Sequence, residues 1–219
     1  MKIGLFGGTF DPIHWGHLRS AEEVREAFHL DRVLFIPASV PPHKQRQDAT
    51  AALDRLKMVR LAIAKNPGFA VSDVEILRPG KSYSLDTLRD FARQRRNDSL
   101  YFILGVDAFR EIGSWKDFQE IFPLCHMIVT SRPGCGDLLK LGDIPVAARK
   151  LFCYDPPKKA YRHTSGTRLH FLKLTDIAIS ASEIRARVKA GKSIRYLVPS
   201  GVEAYIKRRG LYRSARRGE

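Results

Sequence analysis

Residues 7 to 17 of this chain read Gly7-Gly8-Thr9-Phe10-Asp11-Pro12-Ile13-His14-Trp15-Gly16-His17. An apolar run precedes this segment and a helix-forming run follows it. A glycine pair between a strand and a helix lets backbone N–H groups approach a phosphate closely, and the helix N-terminus adds the positive end of its dipole. His14 and His17 are three residues apart, so on a helix they share one face. The segment therefore favours chemistry at phosphorus.

Simpler interpretations of the same residues stay open at this point. A glycine pair after a strand is often only a tight turn, and a surface histidine is often only a side chain. The two histidines could also be metal ligands, but we find no convincing third ligand in the sequence. The segment is not a Walker A loop, because the G-x-x-x-x-G-K-[ST] pattern is absent.

Composition limits the class of protein. The chain has 219 residues, 44% of them apolar, which suits one globular α/β domain over residues 1–219. It contains no apolar run of about eighteen residues that would predict a transmembrane helix, and its start has no signal-peptide anatomy. Three cysteines without a C-x-x-C pattern predict a reduced, cytoplasmic protein.

The formal net charge of +15 could attract nucleic acid or phosphate-bearing substrates. The basic residues are spread along the chain, apart from a small cluster at Arg208-Arg209 and a basic tail at 213–219, and they form no motif of interleaved basic and aromatic residues. This distribution disfavours nucleic acid as the main partner.

Strand-like and helix-like segments alternate along the chain. The predicted strands are 3–6, 32–37, 69–76, 100–104, 127–130, 151–154 and 169–174. The predicted helices are 15–28, one that starts at Thr50 or Asp54, 84–95, 107–122 with a break near Gly113, 180–190 and 201–209. This alternation predicts a Rossmann-like α/β fold, with a doubly wound, mostly parallel sheet, helices on both faces and a small C-terminal helical part at 179–212.

In such a sheet, ligands bind beyond the carboxyl ends of the strands. Four segments with polar or glycine residues follow predicted strands: Gly7-Gly8, residues 37–44, residues 105–107 and Arg132. Their convergence on one edge of the sheet predicts a single site there.

The segment from Gly7 to His17 resembles the signature of the nucleotidylyltransferase superfamily, and more narrowly that of the bacterial nicotinate-nucleotide adenylyltransferases. The closing string Ser-Ile-Arg-Tyr-Leu-Val-Pro at 193–199, followed by Val-x-x-Tyr-Ile from Val202, resembles the same family. The resemblance covers nearly the whole chain and is weakest at 134–166. It implies that nicotinate mononucleotide and ATP, with Mg²⁺, give nicotinate adenine dinucleotide and pyrophosphate.

The resemblance also implies roles for particular residues. The residues that would stabilise charge on the phosphate oxygens during catalysis are His14, His17 and Arg185. ATP would be bound by Gly7, Gly8, Thr9, Phe10, His17, Gly105, Asp107, Ser180 and Arg185. Nicotinate mononucleotide would be bound by His43, Lys44, Ser84, Trp115, Lys116 and Arg132. The chain departs from the family pattern at Lys116, where an aromatic residue or histidine is common, and at Ala181, where a serine is common.

Three alternatives remain at this stage. A sister enzyme such as pantetheine-phosphate adenylyltransferase shares the first motif, an enzyme that prefers the nicotinamide nucleotide is closer, and a basic nucleic-acid-binding protein could retain a nucleotide fold. The sequence allows a homo-oligomer without indicating one.

Overall fold

The structure is a computed structural model that describes residues 1–39, 49–131 and 141–213. Its strands are β1 Lys2–Gly8, β2 Arg32–Pro37, β3 Phe69–Val71, β4 Ser99–Gly105, β5 His126–Thr130, β6 Phe152–Asp155, β7 Ala160–His163 and β8 Arg168–Leu172. Its α-helices are α1 Trp15–Phe28, α2 Ala52–Ile63, α3 Val74–Leu77, α4 Ser84–Gln94, α5 Val106–Arg110, α6 Val146–Arg149, α7 Ala181–Lys189 and α8 Ser200–Arg209.

These strands form one sheet in the order β3-β2-β1-β4-β5-β8-β7-β6. The first six strands of that order run parallel, whereas β7 and β6 are antiparallel to their neighbours. The predicted mostly parallel, doubly wound sheet is therefore confirmed. The chain leaves β1 toward β3 and returns to continue from β4 on the other side. The switch point, where such folds bind ligands, lies between Gly8 and Gly105.

Apolar side chains alternate between the two faces of the sheet, and each face has its own core. In β2, Val33 and Phe35 face one way, whereas Leu34 and Ile36 face the other. The α1-face core also contains Phe10, Ile13, Leu18, Met58, Ile184 and Ile206, from α1, α2, α7, α8 and the loop before α1. The α4-face core contains Leu85, Leu88, Val106, Phe109, Ile112 and Ala148, from α4, α5, α6 and the turn after α5. Helices thus cover both faces, as predicted.

Helix α1 coincides with its predicted range. Its buried stripe is Leu18, Ala21 and Val24, at the three-residue steps that one face of a helix requires. His14 stands at the N-cap, and His29 closes the helix in the left-handed region at φ 51°. The loop after β1 therefore enters α1 with both histidines of the motif in its first turn.

Three predicted elements are wrong in extent. The strand predicted at 69–76 ends at Val71, and a helical turn follows because the buried carboxylate of Glu75 turns back to accept a hydrogen bond from the Thr87 hydroxyl at 2.8 Å. The helix predicted at 107–122 is α5 followed by two 3-10 turns, Ile112–Ser114 and Phe118–Ile121. The described residues from 141 to 166 hold two strands where one was predicted, and β6 and β7 extend the sheet beyond β8.

Among the helices of the described residues, none combines the length and the apolar character that crossing a bilayer requires.

Candidate active site

A cleft of about 680 Å³ opens at the switch point of the sheet. Residues from the carboxyl ends of β1 and β4 line it, together with the starts of α1, α4 and α7. The predicted site residues that line it are Gly7, Gly8, Thr9, Phe10, His14, His17, Ser84, Gly105, Trp115, Lys116, Ser180 and Arg185. The structure thus brings twelve candidates from five elements and the loops beside them into one cavity.

The structure places one further candidate elsewhere. Asp107 is exposed in the first turn of α5 and is not among the residues that line the cleft, so its contact with ATP stays a prediction. His43, Lys44 and Arg132 lie outside the described residues.

Three helices of eight residues or more begin at the cleft. The first turns of α1, α4 and α7 contribute lining residues, including His17, Ser84 and Ala181. Each N-terminus presents backbone N–H groups without intrahelical partners and the positive end of a helix dipole. The cleft is therefore suited to ligands that carry several negative charges.

The two motif histidines are stacked on each other. Their ring centroids are 3.7 Å apart with an interplanar angle of 27°. The backbone N–H of His14 donates to Nδ1 of His17 at 3.3 Å. Because Nδ1 accepts this hydrogen bond, a neutral His17 carries its proton on Nε2. His17 can therefore present an N–H donor to an anion in the cleft.

Gly16 provides the space for this stack. A Cβ on Gly16 would lie 3.1 Å from both Cε1 and Nδ1 of His14. Any side chain at this position would press on the His14 ring, which explains why a glycine stands between the two histidines.

The two glycines at the end of β1 lack a side chain for different reasons. A Cβ on Gly8 would lie 2.9 Å from Cζ of Phe10, which is 2% exposed and packs edge-on against His17 with centroids 5.1 Å apart. A Cβ on Gly7 would meet only Cε2 of Phe102, at 3.9 Å. Gly8 is thus needed so that Phe10 can pack against β1. At Gly7 the missing side chain instead lets a ligand approach the backbone of the strand.

We expect Gly8→Ala to lower the free energy of unfolding by about 1–3 kcal/mol, because the Phe10 ring must move from its packed position. Gly7→Ala is the matched control, and its stability should stay within about 0.5 kcal/mol of the wild type. Denaturant unfolding measures both values. Equal stability losses in the two variants would contradict this division of roles.

Ser180 and Arg185 supply the α7 side of the cleft. The Ser180 hydroxyl accepts a hydrogen bond from the backbone N–H of Glu183 at 3.2 Å and so caps the N-terminus of α7. Arg185 is half-buried, and its Nη1 donates to the backbone carbonyl of Asp11 at 2.7 Å. The guanidinium is therefore held against the loop between β1 and α1, facing the same cavity as the histidines.

Trp115 and Lys116 form the opposite wall, from the turn after α5. Trp115 is partly buried and packs edge-on against Phe102, with centroids 6.4 Å apart. Lys116 Nζ lies 5.1 Å from the centroid of the Tyr83 ring, a cation–π contact that joins this wall to the start of α4. Ser84 is the first residue of α4, and Tyr83 rather than Ser84 is at its N-cap position.

A buried arginine that the sequence interpretation missed holds the cleft loops together. Arg55 of α2 is 1% exposed, and its guanidinium donates to the carbonyl oxygens of Thr9 at 2.8 Å, Ser39 at 2.9 Å and Thr50 at 2.8 Å. Burial lowers the pKa of Arg55, and the charge of the nearby Asp11 counteracts that effect. No sequence signal distinguishes this arginine from the exposed Arg60 on the same helix.

Glu75 is a second residue that was missed. It lines the cleft at 7% exposure, and burial raises its pKa, while hydrogen bonds from Thr87 and Ser82 act in the opposite direction. The Ser82 hydroxyl oxygen also accepts from the backbone N–H of Ser39 at 2.9 Å. Glu75 therefore ties the start of α4 to the loop after β2.

Comparison with known proteins identifies the family. The cytidylyltransferase-like family model matches residues 5–187. A protein of Syntrophotalea carbinolica named "Probable nicotinate-nucleotide adenylyltransferase" is 52% identical over 99% of this chain and all of its own length. The chain belongs to the nicotinate-nucleotide adenylyltransferase family. A relative of Citrifermentans bemidjiense with the same name is 49% identical, again over 99% of the chain and the whole relative.

Solved structures agree on the fold. The nicotinic acid mononucleotide adenylyltransferase of Plasmodium falciparum complexed with NaAD aligns over 96% of this chain and 97% of its own, with a TM-score of 0.74 and 18% identity. At that identity the likeness shows a common architecture, the one that places the cleft at the switch point.

Proposed function

We propose that the chain transfers the adenylyl group of ATP to nicotinate mononucleotide and releases pyrophosphate. The observation that carries the proposal is the joining of His14, His17, Arg185 and three helix N-termini in one cleft at the switch point. Family membership supports the choice of this reaction over other phosphoryl transfers.

In the proposed reaction, an oxygen of the 5′-phosphate of nicotinate mononucleotide attacks the α-phosphorus of ATP. A new P–O bond forms while the bond from the α-phosphorus to the bridging oxygen breaks, and the electron pair leaves with pyrophosphate. No protein nucleophile takes part. Catalysis then consists of holding the two phosphates in line and stabilising the charge that develops on their oxygens.

We assign that charge stabilisation to His17, His14 and Arg185. The Nε2–H of His17 would donate to an oxygen of the α-phosphate, since its Nδ1 is already used by the backbone. Arg185 would contact the departing pyrophosphate together with Ser180 and the N–H groups of the first turn of α7. Gly7, Gly8, Thr9 and Phe10 would border the nucleotide with their backbone.

The pyridine end of nicotinate mononucleotide would lie against Trp115, between Lys116 and Ser84. The indole can stack on a pyridine ring, and the N-terminus of α4 favours a carboxylate over a neutral amide. Lys116 adds a positive charge on the same side. His43, Lys44 and Arg132 remain proposed contacts of nicotinate mononucleotide, on its phosphate, as the resemblance to the family implies.

Mg²⁺ would enter with ATP. Within the described residues, no group of three His, Cys, Asp or Glu side chains is placed as a set of metal ligands, which suits an ion held mainly by phosphate oxygens. When bound, it neutralises charge on the leaving pyrophosphate. The protein's part would be to hold those phosphates with Arg185 and Ser180.

We further propose a cytoplasmic setting, because the two cysteines in the described part of the chain, Cys125 and Cys153, are free thiols. Burial raises the pKa of Cys125 to about 12, so it stays protonated and unreactive. A homo-oligomer is compatible with this proposal, and sedimentation of the purified chain would test it.

Pyrophosphate release with ATP and a panel of acceptors tests the function. We expect the highest kcat/KM with nicotinate mononucleotide, a lower value with nicotinamide mononucleotide and none with phosphopantetheine. A preference for the amide would contradict the assignment of Ser84 and Lys116. No release with any acceptor, together with salt-sensitive RNA or DNA binding, would favour the nucleic-acid-binding alternative.

A further inference from the structure

The segment after α8 reaches back to the loop between β1 and α1. The Tyr212 hydroxyl donates to Oδ1 of Asp11 at 2.6 Å, although the two residues are 201 positions apart. Tyr212 adopts a left-handed backbone conformation at φ 64°, which most side chains avoid. Burial and the neighbouring Asp11 both raise the pKa of Tyr212, so its hydroxyl keeps its proton.

Asp11 connects Tyr212 to the cleft. It is 3% exposed, and its Oδ2 accepts from the backbone N–H of Thr50 at 3.2 Å. Its backbone carbonyl accepts from Nη1 of Arg185 at 2.7 Å. One residue therefore receives hydrogen bonds from the segment after α8, from Thr50 two residues before α2, and from the arginine assigned to pyrophosphate.

We propose that Tyr212 is a positioning residue that sets the place of Arg185 through Asp11. A buried carboxylate is oriented by the hydrogen bonds it accepts, and Oδ1 of Asp11 loses its donor when the Tyr212 hydroxyl is removed. We expect the carboxylate then to rotate away from the Thr50 N–H, the backbone of Asp11 to shift with it, and the Arg185 guanidinium to lose its anchor. Tyr212 itself would contact neither substrate.

The chain offers a matched control. The Tyr205 hydroxyl donates to Oδ1 of Asp54 at 2.6 Å, so it too joins the C-terminal part of the chain to a carboxylate at the same distance. Asp54 lies in α2 and does not line the cleft. Tyr212→Phe and Tyr205→Phe thus each remove one hydroxyl, and only the first is joined to Asp11.

The inference rests on the proposed adenylyl transfer, so its first test does not use activity. We expect Tyr212→Phe to speed amide hydrogen exchange at Thr50 by at least tenfold, because the acceptor of that N–H is released. Tyr205→Phe should leave this amide unchanged. Unchanged exchange at Thr50 in Tyr212→Phe would overturn the inference even if the chain catalyses the proposed reaction.

The second test is kinetic. We expect Tyr212→Phe to lower kcat by about tenfold with little change in KM for nicotinate mononucleotide, since displacement of a charged group near the reacting atoms by about 1 Å can cost up to a hundredfold. In an Arg185→Ala background the same substitution should have almost no further effect, because its action passes through Arg185. Additive losses, or an equal loss in Tyr205→Phe, would overturn the inference. The wild-type rate in the same assay reports on the proposed function separately.

Discussion

Replacement of His17 by alanine is expected to lower kcat by about two to three orders of magnitude, the cost of one donor to a developing oxyanion. The chain should fold normally, because His17 is in the first turn of α1 at the edge of the cleft rather than in a closed core. Pyrophosphate release under saturating substrates measures the loss, and thermal unfolding checks the fold.

His29→Asn is the control for this experiment. His29 closes the same helix at its other end, is exposed, and has a left-handed conformation that asparagine accepts. Its turnover should match that of the wild type. Wild-type turnover in His17→Ala would remove His17 from the mechanism and leave Arg185 and the helix N-termini as the source of catalysis.

Replacement of Arg55 by methionine should lower the free energy of unfolding by about 3–5 kcal/mol, the cost of breaking a buried charged network. The substitution leaves the carbonyls of Thr9, Ser39 and Thr50 without the donor that now joins them. Denaturant unfolding measures the loss, and the three carbonyls belong to segments that border or lead into the cleft.

Arg60→Met is the matched control, on the same helix. Arg60 is exposed and makes one ion pair, with Asp73 at 3.4 Å. Exposed pairs of this kind contribute about 0–1 kcal/mol, so its stability should barely change. A loss as large as that of Arg55→Met would mean that α2 responds to any loss of charge and that the three carbonyl contacts are not the cause.

The sequence carried most of the fold because its signals were local. The period of apolar residues in α1 and the continuous apolar run of β2 each depend on neighbours within a few positions, and both elements agree with prediction. The extent of β3 could not be predicted, since the burial of Glu75 depends on Thr87 and Ser82, which the chain brings close only when α4 is in place.

The candidate site likewise contains residues that the local sequence reveals and residues that it does not. The residues of the motif from Gly7 to His17 could be found because they are contiguous in the chain. Arg55, Glu75 and Tyr212 could not, since their burial depends on contacts between separate segments of the chain. An isolated arginine, glutamate or tyrosine has no local pattern that marks it as buried.

The two cores on opposite faces of the sheet support opposite walls of the cleft. Phe10 and Ile184 anchor the wall with His17 and Arg185 in the α1-face core, whereas Leu85 and Ile112 anchor the wall with Trp115 in the α4-face core. We expect mutations that repack one core to leave the other largely unchanged, because the sheet lies between them. The wall proposed to bind the acceptor could therefore change during evolution while the wall proposed to hold the phosphates stayed the same.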